Sequence, residues 1–237
     1  AVKDGGSLTG VYQTGTHIGL TPDIRDQGLV GYWKMDEGAG TTLIDASGKN
    51  ITGTLNGGIL WTTDRSGAAG KAISFDGVDD FVQFNDGTSA THLYNLSGAT
   101  YCEYIYPRAL MSSTSAGQRI IEKRDFTISV ALDTDGRITS TLWWSASPNQ
   151  NTYFSGTYKL GYYSSGVNQW TAADLNKWYY LCSVFDGKTN KGRMYINGIL
   201  DREADLTGRA GRNLGNFSSS DITQLGRYRW DGNSFFN

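Results

Sequence analysis

The chain has 237 residues and a formal net charge of −2 at pH 7, and its arginines are scattered along the sequence. This charge argues against nucleic acid as a partner, because a phosphate backbone is held by a concentrated basic surface. No run of 18 or more apolar residues occurs, so we predict no insertion into a membrane by these residues. The composition of 31 glycines, only 3 prolines and 13% aromatic residues favours many short strands joined by glycine turns.

The first 27 residues differ in composition from the rest of the chain. They are rich in Gly, Thr, Asp and Ser with isolated apolar residues, which predicts an N-terminal extension or linker over residues 1–27. We expect one β-sandwich domain over residues 28–237, since all-β domains often reach this length as a single unit. The chain begins with Ala1 and shows no signal-peptide pattern, as it would after removal of a leader or after trimming.

The domain opens with an apolar, aromatic run that breaks into a glycine-rich turn. Leu29, Val30, Tyr32 and Trp33 predict a strand over residues 29–33, and the Asp-Glu-Gly that follows predicts a turn. Short polar residues and glycine at 45–50 predict a second tight turn.

Two β-hairpins are predicted further along the chain. The first joins residues 126–132 to residues 137–142 through Asp-Gly, and the second joins residues 193–196 to residues 199–200 through Asn-Gly. Both dipeptides supply the positive φ angles that tight hairpin turns need. Another strand is predicted at residues 178–185.

The order of motifs resembles one family. GLVGYWKMDEG, DASGKNITGTL, AISFDGVDDFVQF, NKWYYLCSVFDG and RMYINGIL follow one another as in the laminin-G-like, concanavalin A-like jelly-roll domains of bacterial surface and secreted proteins. The resemblance covers about residues 28–237, and FDGVDDFVQF is its most specific piece, interpreted as strand, tight turn and strand. It implies an all-β fold of two antiparallel sheets packed face to face, located outside the cell or at its surface.

The chain departs from this family at its end. Family members usually carry a further strand after a segment like residues 224–237. That strand pairs beside the first strand of the domain, which is predicted here at residues 29–33. This sequence stops at Asn237. An unpaired edge is a template for another strand. There are three explanations for the missing strand. The sequence is truncated, residues 1–27 fill the gap at the edge, or a neighbouring copy donates a strand.

The sequence gives no support for catalysis. Glycanases of this sandwich type place two or three acidic residues in alternation on one strand, and the nearest match, Glu203-Ala204-Asp205, lacks a further Glu. His17 and His92 have no partner cluster, and no Gly-x-Ser-x-Gly motif occurs. We therefore expect that the protein is not an enzyme.

Calcium is the expected cofactor. Asp36 and Asp45, together with carbonyls of the glycine turns between them, could supply the several oxygens that calcium needs. The resemblance supports this, since many relatives carry a structural calcium ion. The alternative is that both are turn residues that bond backbone amides. The same two interpretations apply to Asp76, Asp79 and Asp80, for which turn formation is the favoured one.

Cys102 and Cys182 each lie inside a predicted strand. Two cysteines are too few for a disulfide framework, so they are either two buried thiols or one disulfide between neighbouring strands. The disulfide would indicate an oxidising compartment.

Aromatic residues crowd the stretch from 142 to 170. Adjacent residues of a strand face opposite ways, so some of these rings would be exposed. Exposed rings suit the faces of sugars or a protein partner, and the alternative is that they cover a sheet beneath a long loop. The candidate residues for binding carbohydrate or a partner are Trp143, Trp144, Tyr153, Tyr163 and Trp170.

Together these features predict a non-catalytic, extracellular or cell-surface recognition or adhesion module that binds a glycan or a surface protein. The alternative is the globular domain of a self-assembling, pilin-like filament subunit. Copies of that subunit would exchange strands with one another.

Overall fold

A computed structural model describes residues 28–85, 97–109, 118–123, 128–132, 138–142, 159–160, 174–205 and 223–227. These ranges contain fourteen strands and no α-helix. The strands are β1 (Thr42–Leu43), β2 (Gly53–Asn56), β3 (Leu60–Thr62), β4 (Ala72–Ser74), β5 (Phe81–Phe84), β6 (Gly98–Ile105), β7 (Gln118–Lys123), β8 (Ile128–Leu132), β9 (Ile138–Leu142), β10 (Lys159–Leu160), β11 (Tyr179–Asp186), β12 (Lys191–Ile196), β13 (Ile199–Asp205) and β14 (Thr223–Leu225). In this part of the chain no helix is long and apolar enough to span a membrane.

The strands form two large sheets and one short hairpin. The larger sheet has eight strands in the order β1-β2-β5-β14-β7-β8-β9-β10, and the second has four in the order β13-β12-β11-β6. Strands β3 and β4 pair only with each other. Every pairing is antiparallel, which confirms the predicted all-β sandwich of concanavalin A-like type.

Both predicted hairpins are present. Strands β8 and β9 pair from Leu132 opposite Ile138 onward, and β12 and β13 pair from Ile196 opposite Ile199. Between β12 and β13, Asn197 and Gly198 have φ angles of 52° and 79°, the positive pair that a two-residue hairpin turn requires.

The predicted strand at residues 29–33 is wrong, because within the described residues this segment makes only one isolated bridge, between Trp33 and Asp45. Its polar contacts go to the turn that follows instead. The Tyr32 amide donates to the Asp45 carboxylate at 3.0 Å, and the Trp33 indole donates to the Ile51 carbonyl at 2.6 Å. A side chain therefore takes a donor that a neighbouring strand would otherwise accept.

The FDGVDDFVQF motif also differs from its prediction. The sequence predicts a strand, a tight turn and a second strand that returns to the same sheet. In the structure β4 and β5 belong to different sheets. Residues 75–80 form a connection between the sheets. Acidic side chains hold its shape, since Asp76 accepts the amide hydrogen of Val78 at 2.8 Å and Asp80 accepts that of Asp76 at 2.9 Å.

The core lies between the two large sheets and draws buried apolar side chains from both. Alternation along each strand decides which residues enter it, as on β11, where Leu181 and Phe185 are 3% exposed. Phe84 of β5 is 1% exposed and packs on Trp33 with ring centroids 4.3 Å apart. The full cluster is Leu43, Ile51, Leu55, Val82, Phe84, Ile105, Ile120, Ile121, Leu181, Phe185, Met194 and Leu225.

Replacing Phe84 by alanine tests the importance of this packing. We expect Phe84→Ala to lower the free energy of unfolding by about 3 to 5 kcal/mol, because it leaves a cavity and removes the ring beneath Trp33. The neighbouring Gln83→Ala, an exposed position on the opposite face of β5, is the matched control and should change stability by less than about 0.5 kcal/mol. Urea denaturation followed by circular dichroism measures both, and equal losses would contradict the assignment of the core.

Candidate functional site

The outer face of the four-stranded sheet carries an unusual set of cross-strand pairs. On β6 and β11 the inward positions, such as Ile105 and Leu181, enter the core, so the positions between them point away from it. The register places Cys102 opposite Cys182 and Tyr104 opposite Tyr180. These pairs therefore lie on the face that the core does not cover.

Four aromatic side chains at one end of these two strands form two tilted ring pairs, which we call the aromatic ladder: Tyr104, Tyr106, Trp178 and Tyr180. The ring centroids of Tyr104 and Tyr180 are 4.6 Å apart, and those of Tyr106 and Trp178, just beyond the strand ends, are 5.4 Å apart. Tyr104 is 50% exposed and Tyr106 is 37% exposed. Aromatic cross-strand pairs stabilise a sheet, but stability alone does not require rings this exposed.

The next pair along the two strands is covalent. Cys102 and Cys182 form a disulfide with their Cα atoms 4.1 Å apart, and it links residues separated by 80 positions in the sequence. Of the two alternatives for these cysteines, the structure therefore has the disulfide. It fixes the register of β6 on β11 next to the aromatic ladder.

An exposed arginine, Arg65, contributes a polar group at the ladder. The Arg65 guanidinium lies 4.7 Å from the centre of the Tyr104 ring, a cation–π contact. Arg108, two residues beyond Tyr106, donates a hydrogen bond to the Phe75 carbonyl. Burial, and then the neighbouring Tyr104, raise the pKa of Tyr180, so its hydroxyl stays protonated at neutral pH. The face thus combines apolar ring surface with hydrogen-bond donors.

The five aromatic residues predicted as the binding site lie outside the described residues. Trp143, Trp144, Tyr153, Tyr163 and Trp170 therefore remain a prediction. The aromatic ladder was missed, although the sequence contains a signal for it. Cys102-x-Tyr104-x-Tyr106 and Trp178-x-Tyr180-x-Cys182 are the same pattern in opposite chain directions, so antiparallel pairing through the cysteines places ring opposite ring.

The two predicted calcium ligands have clear partners in the protein. Asp45 Oδ1 accepts the amide hydrogens of Tyr32 and Ser47, and its Oδ2 accepts the Ser47 hydroxyl and the Ile51 amide at 2.8 and 3.0 Å. Burial acts to raise the pKa of Asp45, but these bonds outweigh it and the pKa lies below its usual value. A cation at Asp45 would have to displace donors. Asp36 is exposed and lies 3.9 Å from the Lys71 amine. Calcium at these residues stays a prediction.

Glu203 and Asp205, the acidic pair considered for hydrolysis, form ion pairs with basic side chains. On β13, Glu203 accepts a 2.7 Å bond from Arg193, and Lys191 lies 3.3 Å from Glu203 and 3.5 Å from Asp205. Arg193 and Lys191 lower the pKa of Glu203. A glycosidase acid needs a raised pKa in order to keep its proton at neutral pH, so Glu203 is held in the opposite state.

Glu103 is a carboxyl group with a strongly raised pKa, and it points inward from β6. Burial raises its pKa to about 8, although the hydrogen bond from the Tyr101 hydroxyl, at 2.5 Å, acts in the opposite direction. Its Oε1 is shielded from solvent and has no hydrogen-bond partner. A polymeric substrate approaching the outer face would not reach it.

Comparison with models of known protein families assigns the chain to one of them. The family model described as the concanavalin A-like lectin/glucanases superfamily matches residues 76–237. The chain belongs to this superfamily. The match covers β5 to β14 and so includes both the aromatic ladder and the disulfide. No curated protein sequence matches the chain.

Several solved structures resemble the fold at low sequence identity. Domain 4 of AbnA, an extracellular arabinanase from Geobacillus stearothermophilus solved in complex with arabinotriose, is 19% identical with a TM-score of 0.56, over 88% of this chain and 86% of that domain. The binding domain of Paraclostridial Mosquitocidal Protein 1 is 12% identical with a TM-score of 0.58, over 90% and 47%. The binding domain of botulinum neurotoxin serotype D/C is 16% identical with a TM-score of 0.51, over 90% and 46%. The chain thus spans nearly the whole arabinanase domain and about half of each toxin domain.

The raised pKa of Glu103 predicts a pH-dependent stability. The folded protein binds this proton more tightly than the unfolded chain, so the free energy of unfolding should fall as pH rises from about 4.5 to about 8. The slope is up to about 1.4 kcal/mol per pH unit. Glu103→Gln should remove this decline, because the amide carries no charge and still accepts the Tyr101 hydroxyl.

Urea denaturation at a series of pH values measures this effect as the difference between variant and wild type. Glu203→Gln, which removes an exposed acid with a lowered pKa, is the matched control and should keep the decline. Parallel pH profiles for the wild type and Glu103→Gln would show that Glu103 titrates normally in the folded protein.

Proposed function

We propose that this domain is a non-catalytic, extracellular recognition module that binds oligosaccharides on the aromatic ladder. The observation that carries the proposal is the exposure of Tyr104 and Tyr106, at 50% and 37%, within two tilted ring pairs on a sheet face. Sugars present apolar C–H faces that pack on aromatic rings, while their hydroxyls bond outward to polar neighbours.

The spacing of the ladder suits a chain of sugar units. The two pairs are separated by two residues along each strand, which is roughly 7 Å in a β-strand. Each pair therefore offers a surface about one monosaccharide ring in length. Arg65 supplies N–H donors near the Tyr104 ring, and a guanidinium group donates without needing to change charge state.

The rigidity of the ladder favours binding. Its rings are attached to or directly beside two strands that are joined by eight residue pairs and by the Cys102–Cys182 disulfide. A preformed site loses little conformational entropy when the ligand arrives. The disulfide also supports an extracellular location, because such bonds persist in oxidising compartments.

The carboxylates support a binding role rather than hydrolysis. Glu203 is neutralised by Arg193 and Lys191, and Glu103 faces the core. The arabinanase domain of similar fold was solved with arabinotriose, which agrees with sugar binding on this type of sandwich. Trp143, Trp144, Tyr153, Tyr163 and Trp170 are proposed as additional contacts to the same ligand.

Glycan array screening followed by calorimetry with the best oligosaccharide tests the proposal. We expect Tyr106→Ala and Trp178→Ala each to weaken binding at least tenfold, which corresponds to about 1.4 kcal/mol, because each removes a stacking surface. Tyr32→Ala is the matched control, since Tyr32 is a comparably exposed tyrosine, at 42%, beside the Asp45 turn.

Thermal melting of each variant separates loss of binding from loss of folding. Retained affinity in both ladder variants, with loss in Trp143→Ala and Trp144→Ala, would move the binding site to the segment predicted from the sequence. The absence of any bound glycan on the array and in calorimetry would overturn the proposed function.

A further inference from the structure

We propose that the connection between β4 and β5 holds a calcium ion through Asp76, Asp79 and Asp80, independently of glycan binding. One carboxylate oxygen from each residue lies within 4.8 Å of the others. Calcium binds oxygens at 2.3 to 2.6 Å, so oxygens on opposite sides of one ion are separated by up to about 5 Å. The three groups are thus already close enough to share one ion.

Asp80 is the residue that points to a ligand. It is 3% exposed, and one of its oxygens, Oδ2, accepts the Asp76 amide hydrogen at 2.9 Å. The other, Oδ1, is shielded from solvent and receives no hydrogen bond from the described part of the chain. A buried carboxylate oxygen without a donor is costly, and a cation would compensate that cost directly.

The surroundings leave room for an ion beside Asp80. Asp76 and Asp80 line a cavity of about 490 Å³, together with Gly58, Leu60, Ser74 and Arg108. Gly58 has a φ of +119°, and a Cβ atom built there would lie 4.0 Å from Asp80 Oδ1. The lack of a side chain at this position therefore keeps the approach to the Asp80 oxygen open.

The backbone around the three acids is fixed before any ion binds. A Cβ atom on Gly57 would lie 2.5 Å from the Asp79 carbonyl oxygen, so the turn after β2 packs directly against residues 79 and 80. The Arg108 guanidinium anchors the other end by donating to the Phe75 carbonyl. Arg108 lines the same cavity but forms no ion pair with Asp80 within the described residues.

The donor set favours calcium over magnesium. Asp79 is exposed and Asp76 and Asp80 line the cavity, so carboxylate and water oxygens can combine in an irregular shell. Calcium accepts six to eight oxygens in flexible geometry, whereas magnesium demands a near-ideal octahedron. The contrast with Asp45 is clear, because both oxygens of Asp45 already accept hydrogen bonds.

Calorimetric titration of the chelator-treated, full-length chain with calcium chloride tests the site. We expect one ion to bind, and we expect Asp80→Asn and Asp79→Asn each to weaken binding at least tenfold. Thermal melting provides a second measurement. Calcium should raise the Tm of the wild type but not that of Asp80→Asn, whose Tm in chelator should equal or exceed that of the wild type.

Two further variants make the test specific. Asp205→Asn, on an exposed strand, is the control and should bind calcium as the wild type does. Asp36→Asn tests the site predicted from the sequence. The proposal is overturned by an absence of calcium binding in the wild type, by unchanged binding in Asp79→Asn and Asp80→Asn, or by loss in Asp36→Asn alone. Because Asp79 is exposed, a fold defect in Asp80→Asn would still leave Asp79→Asn to decide the outcome.

Discussion

The antiparallel register of β6 on β11 is the constraint on which the rest of this structure depends. Eight residue pairs, from Tyr179 opposite Ile105 to Asp186 opposite Gly98, determine which side chains enter the core and which face outward. A shift of β11 by one residue would bring Tyr180 into the core and expose Leu181 and Phe185. The disulfide prevents such a shift, so one covalent bond secures both the packing of the domain and the outward position of the aromatic ladder.

Four carboxyl groups among the described residues lie in distinct environments, and these environments separate structural roles from candidate functional ones. Asp45 is saturated by backbone and hydroxyl donors, and Glu203 is neutralised by two cations. Glu103 is held in the core beside a tyrosine hydroxyl, where it favours its proton. Asp80 is buried with one oxygen bonded and one without a donor. Of these four residues, only Asp80 has both a buried oxygen without a hydrogen-bond donor and a place in the lining of a cavity.

Local sequence signals predicted much of the fold, because a hairpin turn depends on the conformations of only a few neighbouring residues. Asn197-Gly198 supplies two positive φ angles, and the hairpin of β12 and β13 follows from that chemistry alone. Failures came where a distant group decided the outcome. The segment at 29–33 has the composition of a strand, but the Asp45 side chain takes its amide. Likewise, FDGVDD has the pattern of a hairpin turn, although β4 and β5 pair with strands of different sheets.

The candidate site shows the same limit. Aromatic clustering in the sequence drew attention to residues 143–170, whereas the ladder combines residues more than 70 positions apart. Its members become neighbours only when two strands pair, and nothing local in either strand indicates the partner. The cysteine in each strand was the usable signal, since bonding Cys102 to Cys182 fixes the alignment of the flanking tyrosines.

The disulfide also has a mechanical consequence. It closes a covalent loop across 80 positions of the sequence, and that loop contains every ladder residue as well as the aromatic segment from Trp143 to Trp170. Tension applied through the two ends of the chain passes from Cys102 to Cys182 across the sulfur atoms and bypasses the residues between them. Under such tension, the backbone that carries the aromatic ladder would not bear the load.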